Sequence, residues 1–360
     1  MDHVFRVNGR LQATCIREEM RRKPAVMTTF DELKAQLALP VIAAPMFIIS
    51  NPELVIEQCS NGIVGSFPAL NARPQEALDS WLTRIDTALT AAKTADPERK
   101  IAPYAVNLIV HHTNDRLEAD LETCVRHRVP IIITSLYAPT PVIAPVHAYG
   151  GLVFHDVTTV RHARKALEAG VDGLILVCAG AGGHAGTASP LALLPEIRSF
   201  YDGPIILSGS IASGRSILSA QVMGADLAYV GTRFIASTEA NAPQAYKSMV
   251  VDSAVADIIY TSAFTGVPGN YLKPSIAAAG LDPENLAERS TGSMNWAGGS
   301  SKAWKDIWGS GQGVGQIDSI QPTAEVIAEL ATQYHQARQA LMAQWSEENR
   351  FNPSIVGAGA

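Results

Sequence analysis

The sequence predicts an α/β chain: a (β/α)8 (TIM) barrel with a small helical lid domain inserted near the C-terminus. Two observations carry this. Eight short apolar runs alternate with helical stretches between residues 41 and 234, a rhythm that parallel βα units produce and antiparallel folds do not. The loops after the last three runs are built largely from Gly, Ala, Ser and Thr, as befits the ligand-binding end of a barrel. Eight units favour a closed barrel over an open doubly wound sheet.

In chain order, residues 1–26 lack a clear period and read as a peripheral arm. Thr29 suits the N-cap of a short helix from Phe30 to Leu37. Buried strands follow at 40–46, 62–66, 102–109, 129–135, 152–155, 173–178, 204–207 and 226–230. Helices fall at 52–59, 74–92 and 115–128, from Pro141, at 160–169 before Gly170, and at 212–223 before Gly224; glycine just past a helix is a common stop. Beyond 236 the pattern changes. Residues 241–264 read as helical, and 291–316 are rich in Gly, Ser and Trp, including Trp296, Trp304 and Trp308. A long helix is expected over 322–345. The predicted divisions are an arm (1–26), the barrel (27–235), a helical lid (236–320), and a C-terminal helix with its tail (321–360) that packs back on the barrel.

The 360 residues carry a formal net charge of −6 and no long basic run, which speaks against nucleic acid as a partner. No apolar stretch reaches membrane-spanning length and none resembles a secretory leader, so the expected location is cytoplasmic. Cys15, Cys59, Cys124 and Cys178 have no CxxC spacing; the last three sit in apolar contexts and read as core thiols. His111, His112, His155 and His162 lack partners at ligand spacing, so no metal is expected.

The most informative stretch is AGAGGHAG, residues 179–186, straight after the apolar run 173–178. Its glycines allow close passage of a flat ligand, and His184 is placed like a catalytic group at a strand's carboxyl end. Gly180, Gly182 and Ala185 also fit a loose dinucleotide fingerprint. That reading needs a following helix and a carboxylate roughly 20 residues on; Thr187-Ala188-Ser189-Pro190 and Leu207-Ser208-Gly209 supply neither. The other strand ends present Ala44, Pro45 and Met46, then Asn107, His155 with Asp156, Gly182 and Gly183, Ser208, Gly209 and Ser210, and Gly231 with Thr232. The loops at 208 and 231 each lead toward a helix start and read as a phosphate cradle. Asn107 can both donate and accept, which suits the edge of a flavin ring. Asp156 reads equally as a loop cap. Lys273 is a candidate anion contact or a surface lysine.

These residues resemble the nitronate monooxygenases, formerly 2-nitropropane dioxygenases. The resemblance spans residues 39–315 and rests on IAAPM (42–46), AVNL (105–108), AGGHAG (181–186), PIILSGSIASGR (204–215), ADLAYVGTRF (225–234), SAFTG (262–266) and GSGQ (309–312). It implies an FMN-binding barrel that oxidises alkyl nitronates with O2 to nitrite and a carbonyl compound. His184 would be the catalytic base or anion-stabilising group. FMN contacts would fall on Met46, Asn107, Gly182, Ser210, Tyr229, Val230, Gly231 and Thr232, with Gln312 from GSGQ. The partners implied are a small nitronate anion, O2 and a second copy of the chain as a homodimer. The chain departs from the family's pattern at Ser210, where many members have Gly; at Val177, where some have Gln; and at Asp156, where some have Lys. The same fold also serves NAD(P)H-dependent FMN reductases acting on enoyl thioesters or quinones, the alternative reading. A third possibility, a barrel like IMP dehydrogenase, would need a cysteine on the 179–186 loop, which has none.

Overall fold

The structure, a computed structural model, describes residues 29–286 and 306–346. The predicted arm, Cys15, Trp296, Trp304 and the tail beyond 346 lie outside the described residues.

Eight strands form one parallel sheet: β1 (Val41–Ala43), β2 (Gly65–Pro68), β3 (Tyr104–Val110), β4 (Ile131–Leu136), β5 (Leu152–Val157), β6 (Gly173–Val177), β8 (Ile205–Ser208) and β9 (Leu227–Val230). Their order is β1-β9-β8-β6-β5-β4-β3-β2, and a bridge between Ile42 and Val64 brings the two ends together. The fold is therefore the predicted barrel. Its strands were legible because strands buried on both faces are nearly continuous apolar runs.

Ile42, Val64, Ala105, Ile133, Phe154, Ile175, Ile206, Leu227 and Tyr229 fill the barrel interior. Helix α1 (Phe30–Gln36) contributes Leu33, and its C-cap Leu37, to the same cluster, so it plugs one end. Its N-cap is a reciprocal Thr29–Glu32 capping box. Helices α2 (Pro52–Ser60), α3 (Ala77–Ala95), α4 (Leu117–His127), α5 (Thr140–His147), α6 (Val160–Ala169), α7 (Pro190–Arg198) and α8 (Gly214–Val222) follow successive strands. After β9 come the single turn α9 (Thr232–Ile235), a lid, and then α12 (Thr323–Ser346). Helix α12 packs against α8 and α2. It is the eighth barrel helix, displaced along the chain by the lid.

The lid differs from the helical expectation. Its helices are α10 (Gln244–Asp252) and α11 (Lys273–Ala278). Residues 258–261 are a strand instead, β10 (Ile258–Thr261), antiparallel to β11 (Gly269–Leu272). Ile258, Ile259, Tyr260 and Thr261 are all β-branched or aromatic, and such side chains favour a pleated surface over a helix. The third strand of this sheet, β7 (Gly183–His184), comes from the barrel's own glycine loop.

Candidate active site

The loop after β6 is a seam. Gly183 and His184 pair with Asn270 and Gly269 of β11, and Asn270 Nδ2 donates to the Ala181 carbonyl over 2.7 Å. The Gly180 carbonyl accepts from the Gln312 and Ser210 amides at 2.9 and 3.3 Å. Three segments thus meet backbone to backbone. A Cβ on Gly180 would lie 2.1 Å from Ser210 Oγ, and one on Gly182 would lie 2.8 Å from the Gly311 nitrogen. These two glycines leave room for close approach of the protein's own chain. Only around Gly183 is there space of the predicted kind, since a Cβ there would meet nothing within 4 Å.

His184 is half-buried at this seam, and burial lowers its pKa to about 4. Its Nε2 lies 2.9 Å from Thr265 Oγ1. That hydroxyl donates to the Val267 carbonyl (2.8 Å) and accepts from the Val267 amide (3.1 Å). The ring thus meets a hydroxyl that is itself anchored on Val267.

A polar layer lines the barrel interior at the strands' carboxyl ends. Asn107 Nδ2 donates to the Ile133 carbonyl (3.2 Å) and to Ser135 Oγ (2.8 Å). Its donors are thus turned inward, and Oδ1 is the atom left for a ligand, an acceptor only. Ser135 Oγ donates in turn to Asp156 Oδ2 over 2.7 Å. Burial raises the Asp156 pKa to about 7, against the lowering effect of that bond. Asp156 Oδ1 and the Tyr229 hydroxyl are enclosed with no protein partner. His155 belongs elsewhere: it meets Thr134 Oγ1 at 2.8 Å, and burial holds its pKa near 4. Cys178 is core, its thiol pushed up to about 12 by burial.

The loop after β8 adopts unusual backbone. Gly209 has φ +127° and Ser210 φ +57°. The second is left-handed, which explains why glycine suits that position. The loop after β9 leads into only the four residues of α9, so its backbone N–H groups matter more than a helix dipole. Thr232 Oγ1 accepts from the Gly311 amide at 2.8 Å. The Val230 side chain packs in the cluster between barrel and helices, leaving only its backbone toward the mouth, and its carbonyl accepts from Ala44 N (2.9 Å). Met46 Sδ lies 4.0 Å from where a Gly231 Cβ would sit, and Ala44 Cβ 3.4 Å. Gly231→Ala should therefore fold normally, whereas Gly231→Glu should fold but repel an anionic ligand from this loop. Equilibrium dialysis against FMN checks both; equal retention would move the cradle elsewhere.

Lys273 is tied to Glu284 at 2.9 Å, which favours its surface reading. Among the described residues no group of three or more His, Cys, Asp or Glu is arranged to hold a metal, and no helix is long and apolar enough to cross a membrane. Ser135, Thr265 and Asn270 were not singled out from sequence. Thr265 lies inside the quoted SAFTG stretch, while Ser135 ends the predicted strand 129–135, one of two strands without a candidate residue at the carboxyl end.

Comparison with known proteins places the chain in a family. The chain is 24% identical over 237 residues to a substituted octahydro-indene-carboxyl-CoA dehydrogenase of Rhodococcus jostii, covering 66% of this chain and 63% of that protein. It is 26% identical over 339 residues to a nitronate monooxygenase of Neurospora crassa, covering 81% and 87%. It thus spans less than two thirds of the first relative and most of the second. Among solved structures, FabK from Thermotoga maritima superposes with a TM-score of 0.69 at 22% identity, covering 87% of this chain and 97% of that one. The family model for nitronate monooxygenase matches residues 31–333. The chain is an enzyme and belongs to the nitronate monooxygenase family.

Proposed function

We propose that the chain binds FMN and, with O2, oxidises alkyl nitronates to nitrite and a carbonyl compound. The interior polar layer fits a flavin's edge, which carries one N–H donor beside several acceptors. Asn107 Oδ1 offers an acceptor, and the unpartnered Tyr229 hydroxyl offers a donor. Ser208, Gly209, Ser210, Gly231 and Thr232 would hold the phosphate, with Ala44, Pro45, Met46 and Gln312 at the rim. FMN, when bound, supplies the electron acceptance and the reaction with O2.

The observation that carries the reading is His184. Its ring is neutral at pH 7 and pinned through Nε2, so it serves as a base and not as a cationic clamp. The neutral ring would take the α-proton of a neutral nitroalkane and generate the nitronate in the site. The Thr265 contact keeps the ring oriented, and the lid strands around it limit access of water.

The test is to denature purified protein, identify the released flavin, and follow nitrite formation from a nitronate under O2. One equivalent of FMN and nitrite release are expected. Absence of FMN would sink the cofactor assignment; FMN reduced by NADPH, with no nitrite from nitronates, would transfer the chain to the reductase reading.

A further inference from the structure

Asp156 is a buried ionisable group that this reading leaves without a task. It lies at the carboxyl end of β5, in register with Ile175 of β6. One carboxylate oxygen is held by Ser135, which is held by Asn107. The other is enclosed and has no partner. A purely structural buried carboxyl is expected to have both oxygens satisfied, because an unsatisfied polar atom is costly. Here that oxygen has no protein partner, at the level where Asn107 offers its own acceptor.

We propose that Asp156 stores a proton for the flavin: its carboxylate binds one proton when bound FMN is reduced and releases it when the flavin is reoxidised. The proposal rests on the FMN reading above. Two-electron reduction with uptake of one proton leaves the flavin with one added negative charge. A carboxylate beside that charge is driven to protonate, taking its proton from solvent. Two electrons then enter with two protons, one on the flavin and one on Asp156. When O2 removes the electrons, the carboxyl gives its proton back.

The surroundings suit this role. From β4 the facing group is the Ser135 hydroxyl, from β6 the apolar Ile175 and Val177, and from β3 the uncharged Asn107 acting through Ser135. From β9 the Tyr229 phenol shares the field of the carboxyl, and burial holds that phenol well above its usual range. Neighbouring His155 is engaged with Thr134. Burial already places Asp156 in the neutral range, where a change in flavin charge shifts its occupancy most.

The experiment is the midpoint potential of bound FMN between pH 5 and 9, together with the FMN dissociation constant. One proton per two electrons gives a slope of about 30 mV per pH unit, and two protons give about 60. The wild-type protein should steepen from the first slope to the second above neutrality. Asp156→Asn should keep the shallow slope throughout. Ser135→Ala removes the bond that favours the carboxylate, so its break should move to higher pH; it serves if Asp156→Asn fails to fold or load. A single slope in loaded wild-type protein, a break that survives Asp156→Asn, or one unmoved by Ser135→Ala overturns the proposal alone. Protein that takes up no FMN overturns the cofactor reading and this proposal with it.

Discussion

His184→Ala should slow turnover of neutral nitroalkanes by about 10²- to 10⁴-fold, the usual range for a lost general base. FMN retention should be unchanged, because the cradle lies on β8 and β9. Oxidation of preformed nitronates should survive, since the base has no work to do on them. Parallel nitrite assays on a nitroalkane and on its nitronate separate the outcomes. Equal loss on both would make His184 an anion contact; no loss on either would remove it from the chemistry. Because the ring bonds Thr265 across the seam, stability should fall by about 0.5–1.5 kcal/mol, the net worth of one hydrogen bond.

The pH profile follows from the lowered pKa of about 4. The base is active when deprotonated, so wild-type activity should hold above roughly pH 5 and vanish as pH falls through about 4. The linked effect on folding has the same sign. An unfolded histidine binds protons below about pH 6.5, while buried His184 and His155 resist them. Stability from this source is present above that pH and is lost as pH falls toward 4. His184→Ala should remove part of that acid sensitivity, which acid titration followed by circular dichroism would measure.

What was legible in the sequence follows from locality. Ile131-Ile132-Ile133 and Ile205-Ile206-Leu207 announce buried strands by themselves, and Gly170 and Gly224 announce helix ends. The seam does not announce itself. Strand β7 is two residues long and gains its pairing from residues 269 and 270, far along the chain. Hence AGAGGHAG reads as a ligand loop, and the close approach of Ser210 and Gly311 to Gly180 and Gly182 is not legible in it. The run Asn107–Ser135–Asp156 was hidden for a similar reason: it joins three strands, and register between strands is not written in any one of them. The strand 258–261 was misread because an apolar run without polar alternation has no clear period.

Gly214→Ala should be among the most destabilising single-methyl changes in the chain. A Cβ there would fall 2.2 Å from both the Leu330 carbonyl oxygen and the Tyr334 nitrogen. Both are backbone atoms of α12, so no side chain can turn aside and the whole helix must retreat from α8. That retreat would pull on Val326, Leu330 and Tyr334 in the outer core, on the Gln333 contact to the Gly214 amide (2.9 Å), and on the ion pair between Glu329 and buried Arg233 (2.9 Å). A cost of about 3 kcal/mol is expected, the upper part of the usual overpacking range. Arg233 follows Thr232 directly, so the cradle after β9 should loosen as well and FMN should bind more weakly. The control is Gly183→Ala, where the methyl meets open space and the cost is chiefly the left-handed backbone, about 1–2 kcal/mol. Denaturant unfolding of both variants, with FMN titration, distinguishes the two mechanisms. If Gly214→Ala unfolds within about 0.5 kcal/mol of wild type, the size of an ordinary surface change, then α12 is not seated against α8 as described.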